Sequence, residues 1–159
     1  MPLRLRSPLP SLEGAVAWLN TPDPAGPGDA IQPNRPLLVH FWAVSCGLCK
    51  EAMPMVNTWR DTYGPRGLQV LAVHMPLEQA DTDLDRIRTT AERLGLTQPI
   101  AVDSRLAISD RFLNQFTPAY YLFDAAGELR HYQAGAKGLE IVEQRIQRVL
   151  EEAGGQGQG

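Results

Sequence analysis

Apolar positions along the chain fall into short blocks that switch between two periods. "LLVHFW" (37–42) and "GLQVLAVHM" (67–75) are nearly continuous apolar runs of high β propensity, the pattern of strands buried on both faces. Between them Met53, Val56, Trp59 and Tyr63 recur at helical spacing, with Gly64 as the expected stop. Leu84, Ile87, Ala91 and Leu94 form the clearest amphipathic stripe, closed by Gly95. A short strand "PIAVD" and a helix "SRLAISDRFL" follow. "TPAYYLFDAAGELRHYQAG" then has the form of a hairpin turning around Asp124 to Gly127. Leu139, Val142, Ile146, Val149 and Leu150 mark a final helix.

The N-terminal part is less regular. Pro2, Pro8 and Pro10 favour an extended start. Leu12, Ala15, Val16 and Leu19 are spaced for a short helix, and the Pro- and Gly-rich stretch 21–36 reads as a surface loop. The tail, 153–159, is expected to be disordered. From residue 37 on, the order is β, α, β, α, β, α, β, β, α. Strand–helix–strand units imply parallel crossovers and the late hairpin adds antiparallel pairing, so an α/β architecture is expected: a mixed central β-sheet flanked by helices on both faces. One domain, 1–152 with an N-terminal extension 1–36, accounts for the chain.

Composition narrows the function classes. The apolar fraction of 43% and charged fraction of 21% are ordinary for a soluble globular domain. A net charge of −3, with scattered basic residues, gives no footprint for nucleic acid. No run approaches the roughly 18–20 apolar residues of a membrane span. The start "MPLRLRSPLP" is too short and proline-broken for an export signal, so a cytoplasmic location is expected.

The chain has two cysteines, Cys46 and Cys49, in a C-x-x-C arrangement where a buried strand gives way to a helix. Free amides and the positive end of the helix dipole at such a junction favour a thiolate. Three residues is nearly one helical turn, so Cys49 returns toward Cys46, and the pair can close and reopen by thiol exchange. Cys46 is then the attacking sulfur and Cys49 the resolving one. A structural zinc site needs four ligands, and only His40, His74 and His131 remain to complete one, so no metal is expected. Two inert core thiols are the remaining alternative.

These features together resemble the thioredoxin superfamily, and within it the TlpA/ResA-like thiol–disulfide oxidoreductases. Phe41–Trp42 precede the first cysteine, Pro54 follows the second within "CKEAMP", and "DSRLAISDRF" leads to "FTPAYYLFDAAGEL". The resemblance spans roughly Leu9 to Leu150, with the helix at Leu84 to Leu94 matching an insertion of this branch. It implies a thioredoxin fold, a cis peptide at Thr117–Pro118 beside the cysteines, and a Thr117 backbone that pairs with an extended substrate. It further implies a protein disulfide as substrate, an upstream reductant as partner and no cofactor. A monomer is expected. Trp42 and Leu48 are candidate substrate contacts.

Three positions depart from the family. Ser45 stands where tryptophan is common and is a candidate helix cap. Leu48 replaces a proline between the cysteines. His40 takes the place of a buried aspartate, and a buried, neutral imidazole there is a candidate acceptor for the Cys49 proton. His74 and His131 read as ordinary strand residues, and Asp81, Asp83 and Asp85 as acids that favour the start of the next helix. Two rival classes are a thiol peroxidase, whose P-x-x-x-T/S-x-x-C signature is missing because Val39 occupies the proline position, and a non-catalytic binding module.

Overall fold

The computed structural model describes residues 3–27 and 31–157. Pro2, three residues of the expected 21–36 loop and the last two of the expected tail lie outside them. Six strands form one sheet in the order β1-β4-β3-β2-β5-β6. They are β1 (Ala17–Leu19), β2 (Leu37–Trp42), β3 (Gln69–His74), β4 (Ile100–Val102), β5 (Ala119–Phe123) and β6 (Leu129–Ala134). The helices are α1 (Gly47–Tyr63), α2 (Leu84–Arg93), α3 (Ala107–Arg111) and α4 (Leu139–Gly157). β2, β3 and β4 are mutually parallel, while β5 joins β2 antiparallel and continues into the β6 hairpin.

Every residue of β2 and β3 is buried, as continuous apolar runs demand of central strands covered on both sides. Alternation then sorts their side chains into two cores. Leu38, Trp42, Val70 and Ala72 face Met53, Val56 and Trp59 of α1, Ile87 of α2 and Ile146 of α4. Leu37, Val39, Phe41, Leu71 and Val73 face Ile108 of α3, Phe112 and the N-terminal segment, with Leu9 and Leu12 at its margin.

The N-terminal stretch expected to be helical is instead the edge strand β1, which pairs Ala17, Trp18 and Leu19 with Val102, Ala101 and Ile100. Its alternation explains the choice, because Trp18 enters one core and Leu19 the other. Gly14, at φ +103° and with its Cβ position only 2.8 Å from the Ala107 Cβ, bars a helix through that stretch. The segment before it lies along the hairpin, through Arg6 N–H to Leu129 C=O (2.7 Å) and Leu9 N–H to Gly127 C=O (3.0 Å).

Two helix ends also differ from expectation. The chain passes Gly64 in right-handed geometry, adds a 3₁₀ turn, and reverses at Gly67 with φ +113°. α4 continues past Leu150 to Gly157, so the residues of the expected tail up to 157 are helical. Glu152 in this extension is held by Arg130 of β6 at 2.8 Å.

On the α3 side the largest packing unit is aromatic. Phe112 is fully buried and meets Phe41, Tyr121 and Phe123 edge-on, with centroids 5.3, 5.1 and 6.1 Å away. Phe112→Ala is expected to cost about 3–5 kcal/mol, lost transfer energy plus a cavity. The guanidinium unfolding midpoint checks this, and a loss below about 1 kcal/mol shows that the cluster collapses to fill the space.

Candidate active site

The two cysteines sit at the carboxyl end of β2. Ala43 C=O accepts from the Cys46 amide at 3.1 Å, turning the chain out of the strand, and Cys46 becomes the N-cap of α1. Its Sγ accepts the Cys49 amide at 3.1 Å, so the sulfur occupies the place where a helix accepts an anion. Cys46 and Cys49 are joined as a disulfide with Cα atoms 5.3 Å apart. Cys46 is 6% exposed and Cys49 1%, which leaves Cys46 the more accessible sulfur. Leu48, between them, is 52% exposed and presents an apolar surface to any partner. Pro54 lies within α1, which continues through it to Tyr63.

The other expected site residues separate into two groups. The Thr117–Pro118 peptide is cis, and the β2–β5 register, in which Ala119 faces Phe41, carries Pro118 to the level of Trp42 at this end of the sheet. Thr117 is half-buried there, while Phe116 before it is 59% exposed. Trp42, expected to touch substrate, is fully enclosed in the same core cluster as both cysteines and meets the His74 ring edge-on at 4.9 Å. It offers no surface to a partner. Ser45 is not the helix cap, because Cys46 holds that position; the Ser45 hydroxyl instead donates to Asp81 Oδ2 at 2.7 Å.

His40 shares the α1 face of β2 with Leu38 and Trp42 by strand alternation and is 2% exposed. Its Nε2 lies 2.9 Å from the Gln98 side-chain nitrogen. Arg60 Nη1 and the Thr97 amide both donate to Gln98 Oε1, at 2.9 and 3.1 Å, which fixes the amide with its NH₂ toward the imidazole. Nε2 must therefore accept, and the ring is neutral with its proton on Nδ1. Burial, reinforced by the Arg60 charge, lowers the pKa to about 3. The expected transfer of the Cys49 proton to Nε2 requires that bond to break, so the geometry is that of a satisfied core histidine.

Two residues expected to be structural, His74 as a strand residue and Asp81 as a helix-start acid, come to the site. His74, fully buried at the end of β3, accepts the Val44 amide on Nε2 at 3.1 Å. Burial brings its pKa to about 4, against the opposing pull of Asp81. Asp81 is fully buried in the turn that follows β3, whereas Asp83 caps α2 as expected by accepting from the amides of Asp85 and Arg86. A strand ending in His beside three alternating acids is the only trace of this pair in the sequence. Among the described residues no three His, Cys, Asp or Glu side chains gather as a metal cluster would require.

A cysteine disulfide on a helix N-terminus, at the carboxyl end of a central strand and level with a cis-proline, defines a thioredoxin-fold thiol–disulfide oxidoreductase of the TlpA/ResA-like branch. The Redoxin family model matches residues 28–150, and the chain belongs to that family. It is 48% identical over 154 residues to the thiol–disulfide oxidoreductase YkuV of Bacillus subtilis strain 168, covering 94% of this chain and 99% of that one. Protein DipZ of Mycobacterium tuberculosis is 33% identical over 144 residues, which cover 91% of this chain but 21% of that longer protein. Among solved structures, a thioredoxin-like protein in its oxidised form in solution superposes with a TM-score of 0.82 at 49% identity, covering 94% and 99% of the two chains. The protein therefore catalyses thiol–disulfide exchange.

The two buried histidines make stability depend on pH. Each has a folded pKa well below the ordinary 6.5, so as pH falls the unfolded chain takes up the proton first. Their contribution is complete above about pH 7 and is lost as pH falls from 6.5 toward 4 for His74 and toward 3 for His40, by up to about 1.4 kcal/mol per pH unit for each ring. His40→Asn is expected to flatten this fall. Urea midpoints at pH 7.5 and 5.0 measure it, and an unchanged slope assigns the acid sensitivity elsewhere.

Proposed function

We propose that the chain works as a cytoplasmic, monomeric electron donor to protein disulfides, with Cys46 as nucleophile and Cys49 as resolving thiol. The observation that carries this is the unequal setting of the two sulfurs: Cys46 caps α1 and accepts an amide, whereas Cys49 lies one turn deeper. In the reduced protein the Cys46 thiolate attacks one sulfur of a substrate disulfide. That S–S bond breaks, the other substrate sulfur leaves as a thiolate, and a mixed disulfide with Cys46 forms. Cys49, once deprotonated, attacks Cys46 Sγ and releases the second substrate thiolate, closing the Cys46–Cys49 disulfide. Two electrons have then passed to the substrate, and an upstream dithiol reductant returns the pair to its starting state.

Thr117 and Pro118 stand level with this chemistry and supply the backbone edge against which an extended substrate lies, with Leu48 contacting its apolar side chains. The monomer reading is supported by the sheet edges: β1 has three residues, and the N-terminal segment covers the start of β6 through the hydrogen bonds of Arg6 and Ser7 with Leu129 and the bridge between Pro8 and Glu128. A reducing compartment suits a pair that must be kept as a dithiol to donate electrons.

Cys49→Ser is expected to leave Cys46 trapped in mixed disulfides with partner proteins, while Cys46→Ser traps none and abolishes insulin reduction in the presence of an upstream dithiol. Non-reducing gels and mass spectrometry of the captured species read this out. Trapping at neither sulfur, or insulin reduction that survives Cys46→Ser, argues against the assignment.

A further inference from the structure

The segment that delivers Cys46 is held from the side by the turn after β3. Val44 N–H donates to His74 Nε2 (3.1 Å) and Ser45 Oγ to Asp81 Oδ2 (2.7 Å). Asp81 is itself fixed, since Oδ2 also accepts the Leu77 amide at 2.9 Å and its own amide donates to Glu78 C=O at 3.0 Å. Each of the two residues preceding the nucleophile is thus tied to a fully buried ionisable side chain.

The remaining atoms of this network are unpaired. With Nε2 accepting, His74 carries its proton on Nδ1, and that buried donor has no partner; nor do Asp81 Oδ1 and the Trp42 indole N–H. Burial raises the Asp81 pKa, but the Ser45 hydroxyl, the Leu77 amide, His74 and the Glu78 backbone together outweigh it, and the group is held below the ordinary carboxylate range. Asp81 is accordingly a fixed anion, attached through one hydroxyl to the residue next to Cys46. The ionisable groups facing the segment are His74 from β3, Asp81 from the following turn and Cys49 from α1. His40, deeper on β2, is turned toward Gln98 and Arg60.

We infer that Asp81 is a positioning residue of the exchange reaction: through Ser45 it fixes the approach to Cys46, and its buried charge opposes the Cys46 thiolate that the α1 N-terminus favours. Removing a negative charge stabilises the thiolate, and hence the reduced form, so the native carboxylate makes the pair a stronger electron donor. The inference rests on the exchange chemistry proposed above, but its readout is the ionisation of Cys46 and does not require turnover.

The test follows the pH dependence of Cys46 alkylation by iodoacetamide in the Cys49→Ser background, and the equilibrium of the two-cysteine protein with glutathione. Asp81→Asn keeps an acceptor for Ser45 and Leu77 while removing the charge. It is expected to raise the thiolate fraction below the pKa at least threefold and to shift the glutathione equilibrium at least threefold toward the dithiol. Ser45→Ala removes a donor that holds Asp81 ionised, and is expected to move the Cys46 pKa downward, in the same direction as Asp81→Asn; Ser45→Thr restores it. A Cys46 pKa in Asp81→Asn that is unchanged or higher overturns the inference. Because Ser45 is exposed, Ser45→Ala tests it even where Asp81→Asn fails to fold, and an unchanged or higher pKa there overturns it too.

Discussion

The structure depends on the burial of β2 on both faces. A strand with six successive enclosed residues, paired with β3 on one side and β5 on the other, has no freedom to slip by one residue, because a slip exchanges the two cores. Its carboxyl end is therefore fixed in space, and the turn that the Cys46 amide closes on Ala43 C=O sets Cys46 at the start of α1. Nucleophile placement follows from strand register, and helix geometry then brings Cys49 into bonding range. The same register sets Pro118 level with Trp42, so the cis peptide and the disulfide occupy one edge of the sheet without direct contact being needed to align them.

Such complete burial leaves polar side chains in the central strands few options. His40 and His74 meet the constraint differently. His40 enters a chain of side-chain donors and acceptors, Arg60 to Gln98 to imidazole, which ends inside the core and fixes its tautomer. His74 accepts a backbone amide from the very segment that carries the nucleophile. Both rings are neutral for the same reason, desolvation, yet only the second couples the sheet to the active-site turn.

Much of this was legible in the sequence, and the failures have physical causes. The strand and helix order from residue 37, the hairpin at Asp124–Gly127 and the cysteine pair all rest on local periodicity and local chemistry, which a sequence displays directly. The residues of β1 show a helical spacing because three residues of a short edge strand carry too little alternation to compete with an accidental i, i+3, i+4 pattern; its pairing with β4 is non-local. Gly64 looked like a terminator, but the left-handed residue is Gly67, one 3₁₀ turn later. The substrate contact expected of Trp42 is denied by its complete burial, which no local pattern displays. Asp81 stands in one alternating run with Asp83 and Asp85 and shares their look of a helix-start acid. Only Asp83 and Asp85 serve that end, because the fold turns Asp81 inward to Ser45 across 36 residues of chain.

The placement of Asp81 changes how the helix N-terminus at Cys46 is to be understood. An N-cap sulfur accepting an amide, with unpaired α1 amides around it, is by itself a site that stabilises a thiolate and hence the reduced pair. A strong bias of that kind suits an oxidant, because a stable reduced form surrenders its electrons poorly. A buried carboxylate one hydroxyl away opposes the helix without displacing any of its hydrogen bonds. Ser45 is the residue that allows both: a bulky aromatic side chain at that position has no hydroxyl to reach Oδ2, and the carboxylate then loses one of the donors that hold it ionised. The departure at Ser45 and the buried acid 36 positions later are thus two halves of one electrostatic adjustment, made next to the attacking sulfur and outside the Cys-x-x-Cys sequence itself.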